Sequence, residues 1–341
     1  MPLRAFVDGV EMIAPALSEA QWEALRDSGA QIILPCCGAE GYLRRSPLGT
    51  LHFAHKRGGA KCEAKGETVH HLKAKADIVL ACQQAGYSAL TEVAGDDWRA
   101  DVLAVRGSAR IAFEVQWSFL RLDATIYRQE RYARDGVRGC WFFRNPPPQL
   151  TRGHDLKAQQ ELPLFHLFSN ADHSFSVSVN GQLYGLADVV EALLAGHIHF
   201  CKTARAEPDQ TLKLIPFEIA CPVCDRPTRI FYVEPHLTAH CGRQFRLRDH
   251  PYQFALRPEV LAAALSHFAG DSRLGQITPE GFHCSHCGSL IDQPAVEMAL
   301  YGTQKLASAE SVEIAVHLHE PVIGGAPHWC FPTDGIFCCG K

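Results

Sequence analysis

The sequence predicts an α/β protein in which a mixed sheet is flanked by helices. The prediction rests on the order of patterns between residues 67 and 143: a helix, a strand, a hairpin of two strands, a second helix and a further strand. Hairpin strands pair antiparallel, whereas a strand that follows a helical crossover pairs parallel. One sheet with both kinds of connection is therefore mixed, and its helices cover its two faces.

Length and composition limit the class of protein. A chain of 341 residues has room for two or three domains, and 47% hydrophobic with 21% charged residues is typical of globular proteins. No apolar run reaches the ~20 residues of a membrane span, and the N terminus lacks the layout of a signal peptide. We therefore expect a cytoplasmic protein with no membrane partner. The net charge of −4 does not indicate an extended nucleic-acid surface, but it is compatible with a local basic patch.

Residues 1–64 are expected to form a hairpin, a helix and a Cys/His segment. Asp8-Gly9 predicts the hairpin turn, and Ser18 with Gln21 fits a capping box at the start of the helix. The segment that follows contains five residues of metal-ligand type, namely Cys36, Cys37, His52, His55 and Cys62. Four of these five suit a tetrahedral structural zinc site, and the sequence leaves open which four.

Residues 65–150 contain the predicted α/β core, whose first helix spans about 67–84. Glu67, His71 and Lys75 follow each other at four-residue spacing, so they line one face of that helix. A polar helix face is the simpler interpretation of this spacing. Glu92, in the next strand, is a candidate for a more distant carboxylate of the same site, with a structural role as the alternative.

The predicted hairpin carries two carboxylates among residues that ought to be core. Asp101 opens its first strand and lies across from Glu114 and Gln116, which share one face of its second strand. Two converging carboxylates repel each other unless a proton or a cation lies between them. Mg²⁺, which binds carboxylates together with substrate phosphates, is such a cation. A pair of solvated acids at the strand ends is the alternative.

The rest of the chain is expected to form a connector, 151–205, and a C-terminal zinc-ribbon-like domain, 206–341. The Asn180-Gly181 pair predicts a hairpin turn in the connector. The domain contains two Cys-x-x-Cys motifs, formed by Cys221, Cys224, Cys284 and Cys287, with His240 and Cys241 as alternative ligands for the first motif. Reduced cysteines at this spacing predict zinc, so we expect one or two structural Zn²⁺ sites in the chain. This domain is also a candidate surface for a protein partner or an oligomer.

With these parts in order, the segment from about residue 30 to 145 resembles the competence protein CoiA family. The matching pieces are the cysteines at 36–37, HFAH at 52–55, Glu67 with His71 and Lys75, RADVL at 99–103, FEVQWS at 113–118, Arg128 with Tyr132, and GVRGCWFF at 136–143. The resemblance implies a restriction-endonuclease-like core of the PD-(D/E)XK type behind a small Cys/His segment. It covers about a third of the chain and says little about residues 150–341.

The resemblance implies a metal-dependent deoxyribonuclease that processes foreign or recombining DNA. In that reading Asp101 and Glu114 ligate Mg²⁺ or Mn²⁺, and Glu67 completes the acidic cluster. Gln116 stands where the commonest form of the motif has Lys, and an amide orients a water without supplying positive charge. The charge would come from Lys75 or Lys73. The candidates for contact with the substrate are His71, Lys73, Arg128 and Tyr132.

Two other classes of function remain open from the sequence. One is a zinc-containing DNA-binding factor that assists recombination or DNA uptake without cutting. The other is a zinc-ribbon protein whose C-terminal half recruits a partner while the core serves as a scaffold. Only the nuclease requires Glu67, Asp101 and Glu114 to converge on one metal.

Overall fold

In a computed structural model the chain forms two compact units. The structure describes residues 2–56, 67–152, 155–247, 251–305, 311–332 and 339. The first unit comprises Met1–Phe200 and Pro327–Gly335, and the second comprises Cys201–Ala326 and Ile336–Lys341. No helix within the described ranges is long and apolar enough to cross a membrane.

The N-terminal part of the first unit consists of short strands around one helix. Its elements are β1 (Arg4–Val7), β2 (Val10–Ile13), α1 (Glu19–Asp27), β3 (Ile32–Ile33), β4 (Gly41–Arg45) and β5 (Leu51–His55). The expected hairpin is confirmed, with positive φ at Asp8 and Gly9. The capping box of Ser18 and Gln21 is also present, which satisfies backbone N–H groups at the start of α1. Trp22 packs on Phe53 in a small separate core.

A seven-stranded mixed sheet occupies the rest of the first unit. Its elements are α2 (Val69–Gln84), β6 (Ser88–Ala94), β7 (Arg99–Arg106), β8 (Ala109–Gln116), α3 (Leu122–Arg134), β9 (Arg138–Phe143), the short pair β10 (Thr151–Arg152) and β11 (Asp155–Leu156), β12 (Leu164–Ser169), β13 (Phe175–Val179), β14 (Gln182–Gly185) and α4 (Leu186–Ala195). The strand order is β14-β13-β12-β9-β8-β7-β6. β9 pairs parallel with β8 and with β12, and the other pairs are antiparallel. The predicted mixed α/β fold is confirmed.

Side-chain alternation along the strands divides the core between the two faces of the sheet. Phe113 and Val115 of β8 pack with residues of α2 and α4. Ala112 points the other way and packs in the cluster that contains Tyr132 of α3 and Trp141 of β9. Glu114 is two residues after Ala112 in the strand, so its side chain lies on the same face of the sheet and is directed toward α3. The fold thus buries a carboxylate under a helix.

The sheet extends beyond the expected boundary at residue 150. The segment 151–205, expected as a connector, contributes β12, β13, β14 and α4 to the same sheet and core as the segment before it. The proline-rich stretch at 146–148 ends in a short 3₁₀ turn, Pro148–Leu150, after which the chain returns to pair with β9. The prolines follow the end of β9 but do not end the domain, because β12 then pairs with the edge of β9.

The second unit is built mostly from antiparallel strands and short helices. Its elements in chain order are β15 (His199–Arg205), β16 (Asp209–Ala220), β17 (Pro227–Val233), β18 (His236–Thr238), β19 (Gln244–Arg246), α5 (Pro251–Ala255), α6 (Pro258–His267), β20 (Gln276–Thr278), β21 (Gly281–His283), β22 (Leu290–Ile291), α7 (Gln293–Lys305), β23 (Val312–His317) and β24 (Ile323–Cys330). β15 and β24 each run from one unit into the other. The long strand β16 pairs with β17 and β23, and β20, β21 and β22 form a small separate sheet.

The β13–β14 hairpin offers a test of the extended sheet. Gly181 has φ of 81° at its turn, and a Cβ there would meet nothing within 4 Å. Gly181→Ala therefore introduces backbone strain alone and should lower the free energy of unfolding by about 1 kcal/mol. Gly325→Ala, also with open space around the Cβ but without a positive φ, should not destabilise. Urea denaturation of the two variants makes the comparison, and equal midpoints would contradict the hairpin geometry.

Candidate active site and metal centres

Three carboxylates lie side by side on adjacent strands of the first unit. Glu92 lies between the β6 residues that pair with Val102 and Ala100 of β7, and Asp101 and Glu114 directly adjoin the β7–β8 pair of Val102 and Phe113. Glu92 has a positive φ of 56°. A left-handed conformation at a residue other than glycine costs about 1–3 kcal/mol and is concentrated at functional sites.

Lys75 of α2 connects these carboxylates to the helix. Its side chain is 1% exposed, and its Nζ contacts the carboxylates of both Glu67 and Glu92. Burial disfavours the ammonium, but the charges of Asp101, Glu67 and Glu92 hold the pKa of Lys75 above its ordinary value. Lys73, the other candidate for this charge, forms its ion pair with Asp77 at 2.8 Å instead.

Asp101 is held by two donors on the same oxygen. Nε2–H of His71 donates to Oδ2 at 3.1 Å, and the backbone N–H of Val115 donates to it at 2.9 Å. The other ring nitrogen of His71 lies 3.5 Å from Glu67 Oε1, so this histidine lies between two acids. Burial opposes ionisation of Asp101, but the His71 hydrogen bond and the Lys75 charge lower its pKa to about 2.

Glu114 is 2% exposed and is bonded to α3 through both oxygens. Arg128 Nη2 donates to Oε2 at 2.6 Å, and the Tyr132 hydroxyl donates to Oε1. Burial and the neighbouring Asp101 charge raise the pKa of Glu114 to about 8, and the two donors offset this only in part. Because Arg128 and Tyr132 hold Glu114 here, their contact with a substrate stays a prediction.

Gln116, which occupies the Lys position of the PD-(D/E)XK motif, makes no hydrogen bond to these acids in the described part of the chain. Its Nε2 donates to Ser118, at 2.8 Å to the carbonyl and 3.3 Å to the hydroxyl. Arg99 instead supplies a cation to these acids, with its Nε 2.8 Å from Glu92 Oε2. Arg99 was missed from the sequence, and Glu92 was given only a distant role. The register of β6 against β7 brings both into the site, and no motif of the sequence encodes it.

The site therefore combines four carboxylates, two arginines, a lysine and a histidine in a partly buried cluster. Carboxylate oxygens are the donors that Mg²⁺ and Mn²⁺ prefer, and each carboxylate has more lone pairs than its present hydrogen bonds use. The chemistry of the donor set thus fits a hard divalent cation. Side-chain pairs that hold one carboxylate ionised and its neighbour protonated are typical of catalytic sites.

Four cysteines of the second unit form a cluster that could hold a metal ion. The Sγ atoms of Cys221, Cys224, Cys284 and Cys287 all lie within 4.8 Å of one another. The backbone N–H of Val223 donates to Cys221 Sγ at 3.5 Å. A four-cysteine set of this kind is the donor set of structural zinc.

His240 and Cys241, the alternative ligands for the first Cys-x-x-Cys motif, lie outside the four-cysteine cluster. His240 contacts Glu207 through Nδ1. The second motif, on the loop after β21, comes to the first one because the 59 intervening residues form their own strands and helices.

A second cluster that could hold a metal lies in the N-terminal segment. Cys37 Sγ and Cys36 Sγ lie 3.3 Å and 3.8 Å from His55 Nε2. His52 is not part of this cluster, because its side chain is buried and its Nδ1 lies 3.2 Å from the Thr50 carbonyl oxygen. Cys62 lies outside the described residues. The structure thus brings together three of the five candidates.

Residues 67–176 match the family model of the competence protein CoiA, nuclease-like domain. This match, over about a third of the chain, confirms the resemblance stated from the motifs. It begins at Glu67 and reaches β13, so it spans the acidic cluster and neither cysteine cluster. No curated protein and no solved structure matches the chain.

The raised pKa of Glu114 predicts a pH dependence of stability. Between its ordinary value of 4.5 and about 8, the folded state keeps a proton that the unfolded state loses. The contribution of this group to stability therefore falls as pH rises through that window, by at most about 1.4 kcal/mol per pH unit. Glu114→Gln should flatten the fall in the urea midpoint between about pH 5 and pH 8. The exposed control Glu161→Gln should keep the wild-type slope, and equal slopes in all three proteins would refute the assignment.

Proposed function

We propose that this protein is a metal-dependent nuclease that hydrolyses phosphodiester bonds of DNA, in the processing of foreign or recombining DNA. The observation that carries the proposal is the convergence of Glu67, Glu92 and Asp101 around the buried Lys75, with Glu114 beside Asp101. Burying several carboxylates is costly, and a scaffold has no need for them. The match to a nuclease-like domain covers this same cluster.

In this proposal β6–β9, with α2 and α3 on opposite faces, form a restriction-endonuclease-like core. Asp101 and Glu114 would hold Mg²⁺ or Mn²⁺, with Glu67 and Glu92 completing the acidic set. When bound, the cation would lower the pKa of a water and neutralise charge on the phosphate. The chain itself supplies the alignment: His71 fixes one oxygen of Asp101, and Arg128 with Tyr132 fixes Glu114.

Lys75 takes the role that Gln116 cannot fill. Its ammonium contacts Glu67 and Glu92, and its charge acts on Asp101. A fixed positive charge at this place balances the acids and is positioned to act on a phosphate oxygen or an attacking water. The hydrogen bonds of Gln116 to Ser118 order the loop after β8.

We also propose structural zinc at the four-cysteine cluster and at the N-terminal cluster. Four thiolates at Cys221, Cys224, Cys284 and Cys287 form a closed tetrahedral set. In the N-terminal cluster, Cys36, Cys37 and His55 would supply three ligands. Small segments of short strands have little core, so a metal contributes directly to their folding.

One observation favours a second candidate, a DNA-binding factor that does not cut. Each acid of the cluster already contacts a basic side chain: Glu67 and Glu92 contact Lys75, Asp101 contacts His71, and Glu114 contacts Arg128. A site with its charges so balanced is stable without a cation. Such a factor would retain the fold and the zinc while lacking turnover.

Substitution of Asp101 distinguishes the two candidates. With Mg²⁺ or Mn²⁺, the wild-type protein should cut plasmid or single-stranded DNA, and Asp101→Asn should reduce the rate at least about a hundredfold. Asp96→Asn, an exposed change of the same type between β6 and β7, should leave the rate unchanged. DNA binding without cleavage by the wild type, unaffected by Asp101→Asn, would favour the second candidate.

Zinc content tests the cysteine clusters separately. Cys284→Ser should lower the zinc content by about one ion per chain, and Cys37→Ser should do the same for the N-terminal cluster. Cys140→Ala, a buried cysteine in the core of the first unit, should keep the wild-type content. Elemental analysis of the purified proteins gives these values. Unchanged zinc in Cys284→Ser would remove the four-cysteine site from the proposal.

A further inference from the structure

A cavity of about 220 Å³ opens beside the acidic cluster, within the first unit. Its walls include Glu67, Thr91, Glu92 and Arg99 from the core, and Arg4 and Cys36 from the N-terminal segment. The segment before the nuclease-like domain thus forms part of the wall of the candidate active site. Neither the motifs nor the matched family model assigns a role to Arg4 or Thr91.

Two polar atoms on these walls lack both a hydrogen-bond partner and an ion-pair partner among the described residues. Thr91 is fully buried, and its hydroxyl oxygen has none. Nε of Arg4 is also buried without one, although Nη1 of the same side chain is 3.0 Å from Glu11 Oε1. A buried polar group without a partner is costly and calls for a ligand or a water. Two of them on one cavity indicate a built site.

The charges on the walls indicate the class of ligand. Arg4 and Arg99 place two guanidinium groups around the cavity, and guanidinium binds phosphate through paired N–H donors. Glu67 and Glu92 on the same walls are acids of the proposed metal site. A phosphate in the cavity would therefore meet both guanidinium donors and a cation held by carboxylates, which is how nuclease substrates are bound.

The volume limits how much of a nucleic acid can enter. Sites for drug-sized ligands usually measure about 300–1,000 Å³, so this cavity suits a smaller group, such as the sugar and phosphate of one nucleotide. A paired duplex is far too wide. A single strand, or a strand end released from its partner, could place one sugar-phosphate unit inside.

We propose that this cavity binds one sugar-phosphate unit of a single DNA strand, with Arg4, Arg99 and the Thr91 hydroxyl as its contacts. The inference rests on the proposed function, which it extends by naming the form of the substrate and three residues that contact it. It makes the N-terminal segment part of substrate recognition. It also predicts tighter binding of single-stranded than of fully paired DNA.

Fluorescence anisotropy with labelled single-stranded and duplex oligonucleotides tests the proposal without any cleavage step, since Ca²⁺ can replace Mg²⁺. Arg4→Gln should weaken single-strand binding about tenfold, the loss expected for a hydrogen bond to a charged group. Thr91→Val should weaken it severalfold while leaving the urea midpoint equal or higher, because the lost hydroxyl has no hydrogen-bond partner among the described residues. Arg26→Gln, which removes the same charge from α1 outside the cavity, should bind like the wild type.

The outcomes separate this proposal from the nuclease. Equal weakening by Arg4→Gln and Arg26→Gln, or wild-type affinity in Thr91→Val, overturns the cavity as the binding site. Tighter binding of the duplex than of the single strand overturns it as well. If cleavage depends on Asp101 but Arg4→Gln and Thr91→Val do not weaken binding, the nuclease function is supported and this cavity is rejected as the binding site. Binding that depends on Arg4 and Thr91, with no cleavage, would keep the cavity and reject the hydrolysis.

Discussion

The buried ion pairs of Lys75 determine the arrangement of the candidate site. A buried ammonium is tolerated only when carboxylates surround it, and here Glu67, just before the N-cap of α2, and Glu92 on β6 both contact it. These contacts fix the rotation of α2 relative to the sheet. They also bring His71, one helical turn before Lys75, within reach of Asp101. One lysine thus positions two acids directly and a third through its neighbour.

The different local contacts of the paired acids give them opposite protonation states. Asp101 receives donors from α2 and from the backbone of β8, and its pKa falls to about 2. Glu114 lies under α3, where burial and the charge of Asp101 raise its pKa to about 8. A cation bound to this pair would compete with the Glu114 proton, so metal affinity and pH would be linked. Arg128 would keep the carboxylate in place after that proton leaves.

The features that sequence could predict are those encoded by local pattern. The Asn180-Gly181 turn, the capping box of Ser18 and the four-residue spacing of Glu67, His71 and Lys75 each depend on residues close in sequence. The pairing of β6 with β7 brings Glu92 and Arg99 into the site, and the register of that pairing cannot be predicted from a local sequence pattern. The extension of the sheet by β12 to β14 was missed for a related reason. A proline-rich stretch predicts that a secondary-structure element ends, but it does not predict which strand the next element pairs with.

The metal cluster of the Cys/His segment lies beside the candidate active site, so it affects the shape of that site as well as the folding of the segment. Cys36 lines the same cavity as Glu67 and Arg99, so one candidate zinc ligand lies in the wall of the candidate active site. A segment of short strands with one small core gains much of its order from such a cluster. Ordering Cys36 and β1 therefore also orders Arg4 beside the acids. Loss of metal from this cluster would loosen one wall of the substrate cavity while Asp101 and its partners stay in place, because α2 and the sheet hold them independently.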